Sequence, residues 1–265
     1  MLGKLLKYEI KATSRILLPL YLVLLAVAVA NRFLNPFEMV ENIEGFNIQS
    51  FINVLSILLY FIMAASVIAG TFIIILQRFY KNLLSDEGYL SFTLPVETHQ
   101  HILSKTITSI MWVILSIIVI IASILIVADI DNFIREFSKF LEEISTVFGS
   151  GIFVMLPIYM LSALLLSILT FYNSISIGHQ FQNHKVIASF IMFFAFYILT
   201  QTILVILLTA ITFNLYGDLF ASPFNATTIP NANLFFGIVT VVLLLMAVGH
   251  YLSINYFLKN KLNLE

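Results

Sequence analysis

Charge is scarce in this 265-residue sequence: Asp, Glu, Lys and Arg make up 10% of it, against about 25% in an ordinary soluble domain. With 60% hydrophobic residues and 25 Phe, a chain so poor in charge cannot cover its apolar surface in water. A soluble globule is therefore excluded. Cysteine is absent, which removes disulfides, thiol nucleophiles and thiolate metal sites. Neither sign of charge dominates, with 13 Lys and Arg against 14 Asp and Glu, so no nucleic acid or polyanionic partner is indicated. No G-x-x-x-x-G-K-[ST] string occurs, and the H-E-x-x-H and G-x-S-x-G patterns are missing too. The chain has no ATPase site of its own, and neither catalytic residues nor a bound cofactor are expected.

What the sequence has is long apolar runs. A bilayer core of about 30 Å takes roughly 20 apolar residues in a helix, because hydrocarbon offers no partner to an open backbone amide. Six stretches qualify, at 16–34, 51–76, 104–128, 152–178, 186–213 and 234–258. The expected fold is all-α, a polytopic membrane protein forming one transmembrane domain over 1–265. Lys and Arg set its direction. With the N-terminus in the cytoplasm, the inner side carries Lys4, Lys7, Lys11, Arg15, Arg78, Lys81, Lys105, Lys185, Lys259 and Lys261, and the outer side only Arg32, Arg135 and Lys139. That bias predicts a multi-pass membrane protein with both termini in the cytoplasm. The competing reading of the first run as a cleaved signal, suggested by Ala28, Val29 and Ala30, would delete the basic N-terminus and leave five spans.

Four segments outside the spans carry a pattern. Residues 1–15 read as a helix on the membrane surface, with Lys4, Lys7, Lys11 and Arg15 on one side facing lipid head groups and Leu2, Leu5, Leu6 and Ile10 on the other. Glu9 falls on the apolar side, either as a tolerated misfit or as the partner of a cation such as Arg78 or Lys81. Residues 133–148 repeat Phe133, Phe137, Phe140, Leu141, Ile144 and Phe148 at helical spacing among acids, an amphipathic helix expected on the outer leaflet or capping the bundle. Residues 214–233, with Gly217, Pro223 and Pro230, are expected to be irregular or re-entrant. The inner segment 77–103 should continue the second span as a helix to a stop at Gly88, run extended from Tyr89 to Leu94, end at Pro95, and resume as a helix capped by Thr98.

Little chemistry emerges from these segments. His99, His101, His179, His184 and His250 all fall on the inner side, where imidazoles suit the interface, and no acid completes a metal site around His99 and His101. The span interiors hold no carboxylate, Lys or Arg. Ion-coupled carriers place such groups where the mechanism needs them, so their lack counts against a secondary carrier, which is kept as an alternative beside a non-transporting scaffold or sensor subunit.

The inner segment resembles a known family. Residues 83–105, LLSDEGYLSFTLPVETHQHILSK, contain E-G-Y-L, then T-L-P-V, then a polar turn into I-L-S-K. They resemble the loop between the second and third helices of bacterial type 2 ABC transporter permeases, particularly six-helix permeases of Gram-positive bacteria. LLKYEIKATSR, at 5–15, looks like that family's N-terminal surface helix. The resemblance implies the membrane-spanning subunit of an ATP-binding cassette exporter, paired with a second permease subunit, identical or a sister chain. Separate ATPase subunits would bind ATP and Mg. Glu87, Gly88, Tyr89, Leu90, Phe92, Leu94 and Pro95 match the motif and would meet the ATPase. The family's pathway, lined by the second and fifth helices, maps to Ser66, Gly70, Phe194, Tyr197 and Gln201. Its aromatic, uncharged character suits a hydrophobic or amphipathic cargo such as a lipid, drug or antimicrobial peptide. For Gln201 an interhelical hydrogen bond competes with cargo contact.

Overall fold

A computed structural model describes residues 2–34, 48–93, 95–128, 130–181, 184–221 and 232–261. Among them every regular element is an α-helix: α1 (Leu2–Leu34), α2 (Ile48–Leu83), α3 (Asp86–Thr93), α4 (Thr98–Val127), α5 (Ile130–Phe148), α6 (Ile152–Gly178), α7 (Lys185–Ala221) and α8 (Ala232–Asn260). Six of these are long and apolar enough to cross a membrane: α1, α2, α4, α6, α7 and α8. The chain is a multi-pass, all-α membrane protein.

Two boundaries differ from expectation. Residues 2–15 do not form a separate surface helix; they run into the first span as part of the 33-residue α1. No glycine lies between Gly3 and the helix end, and Pro19 removes one backbone donor without ending the helix. The basic stripe survives as Lys4, Lys7, Lys11 and Arg15, all exposed. Residues 214–221 are helical rather than irregular, because Gly217 alone does not outweigh the long apolar helix before it. Pro223 and Pro230 lie outside the described residues. The expected amphipathic helix appears as α5, but Ile134, Phe137 and Phe140 stand exposed on it.

The chain groups into two compact units. The first comprises Met1–Arg78 and Ile107–Phe137. Its core joins Leu17, Tyr21, Leu24 and Ala28 of α1, Tyr60, Val67 and Ile74 of α2, and Trp112 of α4. Where every neighbour is apolar, hydroxyl pairs supply direction. Ser116 Oγ lies 2.7 Å from Tyr21 Oη and 2.8 Å from Thr71 Oγ1, joining three helices, while Tyr60 Oη meets Ser123 Oγ at 3.0 Å. Asn31 Nδ2 donates to the Val27 carbonyl at 3.2 Å and to the Ser56 carbonyl at 3.4 Å.

The second unit comprises Phe79–Thr106 and Ser138–Glu265. Here the end of α2 is fixed by Phe79, whose buried ring stacks on buried Tyr172 of α6 with centroids 3.9 Å apart. Phe171 of α6 stacks on Phe193 of α7 at 4.4 Å. Tyr159 of α6 and Phe148 of α5 both meet Phe236 of α8 edge-on. A Cβ on Gly178 would collide with the Ser189 backbone, so glycine is what lets α7 start against the end of α6.

Candidate functional site

The segment singled out by sequence is built as a two-helix elbow. α2 ends at Leu83, and the turn through Leu84 and Ser85 leads straight into α3. Leu83 and Leu84 are buried, so the elbow is rooted by its apolar corner. Gly88 is not the stop that was expected, and residues 89–93 are not extended; all lie within α3. An alternating run this short does not separate strand from helix, and an isolated strand would leave its amides unpaired. Glu87, near the start of the helix, favours it through the helix dipole. α4 begins at Thr98 as expected.

One face of α3 is anchored and the other is exposed. Gly88 is buried, and the half-buried Phe92 ring meets the buried His101 of α4 edge-on at 5.9 Å. Phe92 is thus seated against the imidazole on one side, with part of its ring still open. Glu87, Tyr89, Thr93 and Pro95 are exposed, Tyr89 by 67%. The Leu90 side chain and all of Leu94 lie outside the described residues. Lys81 Nζ reaches Glu87 Oε1 at 3.4 Å across the turn, and His99 Nδ1 reaches Glu97 Oε2 at 2.9 Å, both near solvent where such pairs add little stability.

Behind the elbow lies the junction of α6 and α7. His179 is buried there, bonded to the Leu84 backbone, with its Nε2 3.3 Å from Lys185 Nζ and the Tyr80 ring 6.0 Å away. Burial, then the neighbouring Lys185 charge, holds its pKa below the usual 6.5, and the Leu84 bond opposes them. His101 and His179 are therefore protein-buried rather than interfacial groups. Among the described residues no three His, Cys, Asp or Glu side chains cluster to hold a metal ion.

The residues assigned to a pathway fall in both units. In the first, Ser66 is half-buried and satisfied by the Ile62 carbonyl at 2.7 Å. Gly70 lies close to α1: a Cβ there would lie 3.0 Å from Leu20 Cδ2, so its smallness also serves helix approach. In the second unit Phe194, Tyr197 and Gln201 of α7 are all exposed. Glu9, the misfit of α1, places Oε2 3.4 Å from Arg78 Nη2 of α2.

Sequence reasoning missed one buried polar cluster. Asn173 Nδ2 of α6 lies 2.9 Å from His250 Nδ1 of α8, and Ser253 Oγ donates to Asn173 Oδ1 at 2.8 Å. The Phe196 ring of α7 faces His250 edge-on at 5.1 Å, so the cluster ties three helices. Its signal was available: Thr170, Asn173 and Ser174 form a polar stripe on one span, and His250 and Ser253 face it at i, i+3 on another. No family model, curated protein or solved structure matches this chain.

Proposed function

We propose that the chain is the membrane-spanning permease subunit of an ATP-binding cassette exporter, set in a bacterial cytoplasmic membrane with both termini inside. In this reading its companions are a second permease subunit and separate ATPase subunits that bind ATP and Mg. It provides the path for a hydrophobic or amphipathic cargo. The observation that carries the reading is the elbow: a motif-bearing short helix, anchored by Leu84, Gly88 and Phe92, that leaves Glu87, Tyr89 and Pro95 open to a partner. A rigid root with an exposed apolar tip is what a lever needs in order to pass on a partner's displacement. The lack of any nucleotide-binding string in the chain, and of Asp, Glu, Lys or Arg in the interiors of the expected spans, agrees with power supplied from another subunit.

Affinity purification from native membranes tests this. The chain should retain a soluble protein carrying G-x-x-x-x-G-K-[ST], and Tyr89→Asp should lose it while inserting normally. Capture of no such protein by the unaltered chain overturns the reading and favours an ion-driven carrier or a scaffold. Flux in liposomes that collapses with an ion gradient separates those two.

A further inference from the structure

Where the chain turns from α6 into α7 it encloses a groove of about 720 Å³, within the size range of ligand pockets. Its polar end is formed by Gln180 and His184, which fall between the spans Ile152–Gly178 and Lys185–Asn214 and so at a membrane boundary. From there Ile187, Ile191 and Met192 carry the groove along α7, with Phe181 over its mouth. The stretch of helix from residue 184 to residue 192 rises about 12 Å, most of the roughly 15 Å that the chains of one leaflet fill. A groove that follows a span from its boundary end runs alongside acyl chains, and its wall is apolar over that whole length.

The charge at the boundary end decides what fits. Lys185 stands three and seven residues before Ala188 and Met192, on the groove's side of α7. Its Nζ lies 3.3 Å from His179 Nε2, and among the described residues no carboxylate pairs with it. An ammonium only donates, so His179 accepts through Nε2 as a neutral imidazole and leaves the Lys185 charge uncompensated. A half-buried cation at the head of an apolar groove complements an amphiphile with an anionic head and an aliphatic tail. A zwitterionic lipid would bring its own cation to the same place, and a free anion would leave the apolar wall uncovered.

We infer that the groove seats one acyl chain of an anionic phospholipid, with the lipid phosphate on Lys185. The two parts of the seat divide the work. A tail gains nothing from the groove by leaving water, since it comes from hydrocarbon, so the groove contributes shape and the ammonium chooses the head. The seat adjoins the elbow, because the His179 that meets Lys185 is also bonded to the Leu84 backbone at the corner between α2 and α3. The inference rests on the permease reading only for the leaflet, which is the cytoplasmic one.

Native mass spectrometry of the purified full chain tests it, using detergent that carries equal amounts of phosphatidylglycerol and phosphatidylcholine. One phosphatidylglycerol should be retained in preference. Lys185→Gln should lower that preference about fivefold, the scale of one cation at a membrane surface, and Lys185→Arg should keep it. Lys7→Gln, which removes an exposed cation of α1, should leave it unchanged. Ile191→Trp, filling the groove from an exposed position, should lose the retained lipid. Glycerol 3-phosphate, a head without a tail, should not displace it. No preference in the unaltered chain, an equal loss in Lys7→Gln, retention that survives Ile191→Trp, or displacement by glycerol 3-phosphate overturns the inference. Any of these in a chain that still captures an ATPase leaves the permease reading standing, and a chain that keeps the preference but captures no ATPase leaves the lipid seat standing.

Discussion

Glu9 Oε2 and Arg78 Nη2 lie 3.4 Å apart, joining the first turns of α1 to the end of α2 with 14% of the Glu9 side chain and 29% of the Arg78 side chain exposed. The pairing explains why an acid occupies the apolar side of a basic helix. It also gives the continuous α1 a fixed neighbour near its start. Glu9→Lys should lower stability in detergent by about 1 kcal/mol, since a partly exposed pair is worth no more. Arg78→Glu in the same chain should recover part of that loss, and a double-mutant cycle on thermal midpoints measures the coupling. Zero coupling would show that the two charges are merely close.

Glycine substitutions should split by location. A Gly→Ala change inside a helix ordinarily gains up to about 1 kcal/mol. Gly237→Ala and Gly249→Ala meet open space and should be neutral or stabilising. Gly178→Ala drives a Cβ into the Ser189 backbone and should cost more than about 2 kcal/mol, seen as a lost thermal transition or lost yield. Equal effects at the three positions would contradict the close approach of α7 to the end of α6.

The Asn173, His250 and Ser253 cluster should behave as one unit. Asn173→Leu removes its bonds to His250 and Ser253 and leaves His250 Nδ1 without its donor, at a cost of about 1–2 kcal/mol. Adding Ser253→Ala should then cost almost nothing further. Additive losses on thermal unfolding would mean that the two bonds are independent.

His179 predicts acid sensitivity of the inner junction. Its folded pKa is below 6.5, so the unfolded chain binds the proton more readily, and stability is lost as pH falls from 6.5 through the depressed value. His179→Asn should flatten the fall in thermal midpoint between pH 7.5 and 5.5. A variant with the same acid slope as the unaltered chain would place the titrating group elsewhere.

The six spans were legible because each is a long apolar run whose length the bilayer dictates, and the α5 pattern because its phenylalanines recur at helical spacing. The Glu9 partner was readable as one of two cations. The turn after the second span was legible but its local geometry was not, since Tyr89 to Leu94 alternate too briefly to distinguish periods and the segment is helical. The closeness of Leu20 to Gly70 was not legible, because smallness alone does not say which neighbour uses it. His101 and His179 read as interfacial because their burial comes from elements distant in sequence.

A photo-activatable residue in place of Tyr89, irradiated in growing cells, tests the central claim most directly. The permease reading predicts one dominant protein adduct, a soluble subunit bearing G-x-x-x-x-G-K-[ST], lost when the elbow is unseated by Phe92→Asp. Adducts to lipid alone, or to proteins without a nucleotide-binding sequence, would contradict it.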